Sequence, residues 1–207
     1  MDPASDQTIE HEGAGAPPPP AAPARPPAVV RYPRSLRILH WLRAVIILGL
    51  ITAGWLMTSL ADEVPAKYEL LYPWHKSFGI LAFLVVILQL AIRARTQRLP
   101  EPPETLPRHE RILARAVHRA IYVLLVVVPL MGYSMSSTFT MSDGVFFFGT
   151  NLPELLPKND AWFVVFQWLH KVLAYTLLAL ITLHVIGALK HRFLDRDARN
   201  DVLPRML

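Results

Sequence analysis

Two histidines fourteen residues apart, His170 and His184, interrupt a long apolar stretch near the end of the sequence. In an α-helix, fourteen residues rise about 21 Å and complete nearly four turns, so both imidazoles lie on almost the same face. That rise covers much of a hydrocarbon core about 30 Å thick. The spacing therefore predicts two sites stacked across a membrane.

Two further histidines match these depths from other apolar segments. His40 opens the first segment, and His75 opens the second from the opposite side of the membrane. If the segments cross alternately, His75 is level with His170 and His40 is level with His184. Two histidines from facing helices are the axial ligands of a six-coordinate b-type haem, which transfers single electrons because the protein fills both axial positions. The pattern predicts two haems b per chain, one near each membrane face.

The neighbouring residues favour haem over a small metal ion. A zinc ion would need three or four ligands at one level, including carboxylates or thiolates that these segments lack. A flat macrocycle needs small neighbours, and a small residue follows three of the four histidines within about one turn: Gly79, Ala174 and Gly187. A basic residue also follows three of them, and either meets a haem propionate or snorkels to the interface: Arg43, Lys76 and Lys171.

The remaining histidines have weaker signals. His118 begins the third apolar segment near the inner level, where it could hydrogen-bond a quinone carbonyl or a propionate, or could be a boundary residue without a role. His191 lies on the same helical stripe as His184 and is the reserve candidate for the inner ligand. His109, in a Pro-rich loop, is expected to be exposed.

Four apolar blocks must position these side chains. They span residues 38–60, 70–92, 120–142 and 161–189, each with at most one full charge. Each block is long enough to cross a bilayer, and none shows the polar stripe of a soluble helix. We therefore predict an all-α fold, an integral membrane four-helix bundle in the lipid bilayer.

The connecting segments predict the orientation of this bundle. Arginines are concentrated before the first block, between the second and third, and after the fourth, whereas the other two links are mainly acidic. The positive-inside rule then places both termini in the cytoplasm. The pI of about 9.7 is explained by this topology and needs no nucleic-acid partner.

Composition sets the domain boundaries and excludes some cofactors. Residues 1–31 are rich in Pro and Ala, lack the apolar core of a signal peptide, and are predicted to form a disordered cytoplasmic tail. Residues 32–194 form the membrane domain, and residues 195–207 a short polar cytoplasmic tail. The chain has no cysteine, which excludes disulfides, cysteine-ligated iron–sulfur clusters and covalently attached c-type haem.

Several motifs resemble the bacterial cytochrome b561 family of four-helix di-haem membrane proteins. They are ILHWLRA at 38–44, WHKSFGI at 74–80, the stretch 102–133 that leads into the third block, and WLHKVLAYTLLALITLHVIGALKHRF at 168–193. The resemblance covers roughly residues 32–207. It implies that His40, His75, His170 and His184 are the haem ligands, and it does not extend ligation to His118.

The resemblance also implies a function. Free-standing members of the family are oxidoreductases of the bacterial inner membrane that take electrons from a periplasmic one-electron donor, superoxide in the nearest case, and reduce ubiquinone. The outer links are slightly acidic, so superoxide follows from the resemblance and not from the charges. The alternative is a haem-bearing anchor subunit of a partner dehydrogenase or hydrogenase, whose cytochrome b subunits share the histidine spacing. A transition-metal carrier is a third reading, but the oxygen ligands it would need are missing.

Overall fold

A computed structural model of the chain describes residues 30–207 apart from positions 98, 102, 104 and 143. It contains four long helices: α1 Arg34–Ser59, α2 Tyr72–Arg95, α3 Arg108–Thr138 and α4 Asp160–Phe193. All four are long and apolar enough to cross a membrane, which confirms the predicted fold class. The predicted tail, residues 1–31, lies outside the described residues except for its last two positions.

Proline and asparagine mark several helix starts. Pro33 and Pro107 directly precede α1 and α3, and Pro73 is the second residue of α2. The Asn159 side chain caps α4 by accepting hydrogen bonds from the backbone N–H groups of residues 161 and 162. A π-helical turn, Lys67–Leu71, leads into α2.

α3 begins twelve residues before the predicted third block. Its first three turns are charged and amphipathic, so hydropathy alone did not include them. His109 therefore lies in the first turn of a helix, and its predicted position in a loop was wrong. Its side chain is 81% exposed, which confirms the expected exposure.

The packed core lies among α1, α2 and α3. Its buried members are Ile46, Ile47, Ala82, Val85, Val86, Val117, Ile121 and Leu125, together with Leu177 from α4. Along the described chain, α4 packs closely on α3 but makes little or no close backbone contact with α1 or α2. α4 is thus held apart from α1 and α2, and large apolar side chains face outward on all four helices, as in a bundle embedded in lipid.

A β-hairpin between α3 and α4 was not predicted. Strands β1 Val145–Phe147 and β2 Thr150–Leu152 pair antiparallel around a turn at Phe148 and Gly149, both with positive φ. Such a turn normally carries Asn-Gly or Asp-Gly, and the sequence lacks that signal. The turn is held against α2: the Phe148 ring packs on Trp74 and Phe78, and its N–H donates to the Ser77 hydroxyl at 3.1 Å.

The C-terminal tail is folded and crosses one end of the bundle. Its two 3₁₀ turns, Ala198–Asn200 and Leu203–Arg205, run back towards α1. The Tyr32 N–H donates to the Arg205 carbonyl at 3.0 Å, and the Trp41 indole N–H donates to the Met206 carbonyl at 2.9 Å. The start of α1 and the chain end therefore lie at the same end of the bundle.

Candidate haem site

Four histidines form two pairs, and each pair joins α4 to α1 or α2 across the gap between them. The ring centroids of His75 on α2 and His170 on α4 are 6.1 Å apart. Those of His40 on α1 and His184 on α4 are 6.3 Å apart. Because His40 lies near the start of α1 and His75 near the start of the antiparallel α2, the pairs lie towards opposite ends of the bundle.

The two centroid distances fit a metal between each pair of rings. An imidazole nitrogen bonds a transition metal at about 2.0 Å and lies about 1.1 Å from its own ring centroid, so two rings on opposite sides of one metal have centroids about 6.2 Å apart. Both pairs match this value. Among the described residues, no group of three or more His, Asp or Glu side chains could hold a metal ion.

The protonation of His170 suits a ligand. Its Nδ1 lies 3.0 Å from the backbone carbonyl of Val128 on α3. A carbonyl only accepts hydrogen bonds, so Nδ1 carries the proton and Nε2 keeps a free lone pair. Metal-bound histidines characteristically donate from the second ring nitrogen in this way. His170 is therefore in the tautomer that an iron ligand needs.

A glycine on α3 makes this hydrogen bond possible. Gly132 lies one turn after Val128, and a Cβ built on it would lie 3.1 Å from two ring atoms of His170. Gly54 on α1 similarly faces the His75 ring, with a would-be Cβ at 3.5 Å from Cε1. Sequence reasoning missed both glycines, because they are far from any histidine along the chain.

We expect Gly132→Ala to weaken haem retention at the His75–His170 level. The added methyl group would push the His170 ring by a few tenths of an ångström and lengthen its bond to Val128. Second-shell losses of this kind typically cost about 10- to 100-fold in metal affinity. Haem content after purification would measure the effect. The haem at the His40–His184 level is the internal control, because it should be retained in Gly132→Ala. Equal loss of both haems would contradict the expectation.

The small residues predicted beside the ligands are less constrained than Gly132. A Cβ on Gly79 or on Gly187 would meet nothing within 4 Å among the described residues. Open space at Gly79 and Gly187 is compatible with room for a macrocycle, and their role stays a prediction. An apolar cavity of about 490 Å³ opens beside His75, with Gly49, Trp74 and Phe78 in its lining.

Arg43 is buried and does not snorkel to the interface. Only 8% of its surface is exposed, and its Nη1 donates to the side-chain oxygen of the equally buried Gln89 at 2.7 Å. Its Nη2 lies 3.3 Å from Nδ1 of His40. The guanidinium also stacks over the Tyr122 ring at 5.3 Å. Gln89 and Tyr122 carried no sequence signal, because a single amide or phenol in an apolar helix is not diagnostic.

His118 lies beside the His40–His184 pair in a different arrangement. Its ring centroid is 4.9 Å from that of His184, which is too short for the two rings to lie on opposite sides of one metal. Its Nδ1 donates to the Ala114 carbonyl at 2.6 Å, and the side chain is exposed. The geometry agrees with the expectation that His118 is a neighbour and not a ligand.

His191 is occupied by carboxylates at the end of α4. Its Nδ1 lies 2.8 Å from Asp195, and its Nε2 lies 3.8 Å from Glu110, which also pairs with Lys190. The hydrogen bond from His191 holds the pKa of the Asp195 carboxyl below its usual value. No described contact brings His191 to another candidate ligand, so the reserve role gains no support.

Comparison with known proteins identifies the family of the chain. The family described as prokaryotic cytochrome b561 matches residues 31–207. The chain is 33% identical to "Cytochrome b561 homolog 2" of Escherichia coli strain K12, over 86% of this chain and 91% of the relative. It is 26% identical to "Probable superoxide oxidase CybB" of Yersinia pestis, over 77% and 87%, and 21% identical to "Cytochrome b561 homolog 1" of E. coli, over 81% and 93%.

The matched region contains all four helices and both histidine pairs. Members of this family are haem-binding electron-transport proteins of the membrane, and four spans make the chain a multi-pass inner-membrane protein. The chain therefore belongs to the prokaryotic cytochrome b561 family, as a b-type cytochrome that transfers electrons within the membrane.

Proposed function

We propose that the chain binds two haems b, one between His75 and His170 and one between His40 and His184. The observation that carries the proposal is the pair of centroid distances, 6.1 and 6.3 Å, on helices that are otherwise held apart. When bound, the two haems would supply single-electron transfer between the membrane faces. The Val128 carbonyl holds the His170 ring in the tautomer that an iron ligand needs.

The proposed orientation places both termini in the cytoplasm. The end of the bundle that carries the chain end also carries the link between α2 and α3, since the Tyr32 hydroxyl donates to the Pro100 carbonyl at 3.5 Å. This end has most of the arginines, as the positive-inside rule requires of the cytoplasmic side. The His40–His184 pair then lies on the cytoplasmic side and the His75–His170 pair on the periplasmic side.

We propose superoxide as the periplasmic donor. The name of the Yersinia pestis relative, a probable superoxide oxidase, supports this at 26% identity. Two lysines adjoin the periplasmic ligands in sequence: Lys76, whose ammonium donates to the Gly144 carbonyl at 3.4 Å, and the exposed Lys171. Local positive charge of this kind attracts a small anion.

We propose ubiquinone as the acceptor on the cytoplasmic side, near His118. Because Nδ1 of His118 is engaged with Ala114, its Nε2 is the nitrogen that can exchange a proton with a bound ligand. The exposed ring can be reached from the lipid phase, where ubiquinone is dissolved. Arg43 and Tyr122 add polar groups at the same end of the bundle.

The direct test is to purify the chain alone and count its haems. We expect two haems b per chain, with reduced-minus-oxidised spectra of low-spin, bis-histidine iron. A pyridine haemochrome assay against protein concentration gives the number. A haem-free protein that binds divalent transition metals would refute the proposal and restore the carrier reading.

A further inference from the structure

We infer that Arg43 on one side, and the Val128 carbonyl on the other, give the two haems unequal reduction potentials, the higher at the His40–His184 level. The inference rests on the proposed di-haem function. It assigns to residues of this chain the driving force for electron transfer from the His75–His170 level to the His40–His184 level. Each transfer oxidises one iron and reduces the other by one electron, with no bond made or broken.

At the His75–His170 level, the hydrogen bond of His170 favours oxidised iron. Its Nδ1–H donates to the Val128 carbonyl at 3.0 Å. Donation to an acceptor increases the basicity of the ligating nitrogen. A more basic ligand stabilises the more positive, oxidised state of the metal, so the reduction potential falls.

At the His40–His184 level, Nδ1 of His40 faces a hydrogen-bond donor instead of an acceptor. Its Nδ1 faces Nη2 of Arg43 at 3.3 Å, and a guanidinium has only donors. In this structure Nδ1 of His40 therefore accepts from Arg43, and it has no carbonyl acceptor like that of His170. Bonding to iron through Nε2 would move the ring proton to Nδ1, where the described contacts offer it no acceptor. The ligand is therefore less basic than His170, and the reduced state is relatively favoured.

The charge of Arg43 acts in the same direction. The side chain is 8% exposed within a membrane-spanning helix, and its close partner is the neutral amide of Gln89. In the described part of the chain, no carboxylate lies within ion-pair distance of Arg43. A buried, unneutralised cation interacts strongly with charge added nearby, because the surrounding dielectric constant is low. An electron arriving at the His40–His184 level is stabilised by this cation.

The two lysines near the His75–His170 level raise the reduction potential there only weakly. Lys171 is exposed, and Lys76 reaches the Gly144 carbonyl in the loop that precedes β1. Both lie at the membrane boundary, where water and salt screen their charge. The buried Arg43 therefore outweighs them, and the difference in potential favours the His40–His184 level.

Spectroelectrochemistry of the purified, haem-loaded protein tests the inference. In Arg43→Gln we expect the reduction equilibrium of the higher-potential haem to become at least tenfold less favourable. For one electron this lowers its midpoint potential by about 59 mV, while the lower midpoint potential stays unchanged. Arg43→Lys keeps the charge and should retain most of the higher potential. Arg93→Gln, which removes a half-buried guanidinium 5.8 Å from the same Tyr122 ring, is the matched control and should shift the potential less.

A second variant guards against loss of folding in Arg43→Gln. Gln89→Glu leaves Arg43 in place and supplies the missing carboxylate, so the higher potential should again fall. If neither variant moves the higher potential, or both move the two potentials equally, the inference is overturned while the di-haem function stands. A wild-type protein without two haems would instead refute the proposed function itself.

Discussion

His170→Ala is expected to remove one haem and leave the other, and His184→Ala to remove the haem that His170→Ala leaves. Each substitution takes away one of two axial ligands, and alanine offers no replacement. α4 supplies a ligand to both pairs, so the double variant should contain no haem. Haem-to-protein ratios and reduced-minus-oxidised spectra measure the result, and the haem that remains in each single variant shows that the bundle has folded.

His191→Ala is the matched control for this series. It removes an imidazole from the same stripe of α4, seven residues beyond His184. Because His191 pairs with Asp195 and approaches Glu110, its loss should leave both haems in place. If both haems survive in the double variant, the assignment is refuted. If His191→Ala loses a haem that His184→Ala retains, the ligand register on α4 is wrong by two turns.

Much of the fold could be predicted because a membrane-spanning helix must be apolar over a known length. Apolar length alone locates the spans, and the rise of a helix fixes the depth of each histidine. The pairing of His75 with His170, and of His40 with His184, follows from alternate crossing of the bilayer. Those two steps needed no knowledge of side-chain packing, and the structure places both pairs at 6.1 and 6.3 Å.

The parts that escaped prediction depend on contacts between distant positions. Gly132 matters because the His170 ring lies where a larger side chain at this position would be, and from there it donates to the Val128 carbonyl. The sequence cannot show that the two helices come this close. The burial of Arg43 depends on Gln89, which comes from another helix. The sharp turn is held by aromatic packing of Phe148 on α2, and Phe148 stands where Asn or Asp is usual before the glycine.

The folded C-terminal tail is a further example. A short segment rich in charged residues after a last span is typical of a solvated end, and it shows no periodicity. In the structure Asn200 is buried, and its amide donates to Asp195 at 3.0 Å. The tail is ordered because its backbone finds partners on α1, which is remote in sequence.

Purified protein given superoxide is expected to show rapid haem reduction, followed by reoxidation when ubiquinone is added. The second step should slow in His118→Ala by about a hundredfold, the lower end of general acid–base contributions. The reason is that reduced ubiquinone must gain protons. Nε2 of His118 is unprotonated while Nδ1 donates to Ala114, so it can take a proton from cytoplasmic water and pass it to the quinone. Stopped-flow absorbance at the haem bands follows both steps in one experiment.

The control is His109→Ala, which removes an exposed imidazole from the same end of α3 and should leave both rates unchanged. Equal slowing in the two variants would show that His118 has no specific role at the quinone. If superoxide leaves the haems oxidised, while a dehydrogenase that co-purifies from native membranes reduces them, the chain is an anchor subunit and the superoxide proposal fails. If ubiquinone never reoxidises the haems, the proposed acceptor and its placement beside His118 are both wrong, because the electron then leaves by another route.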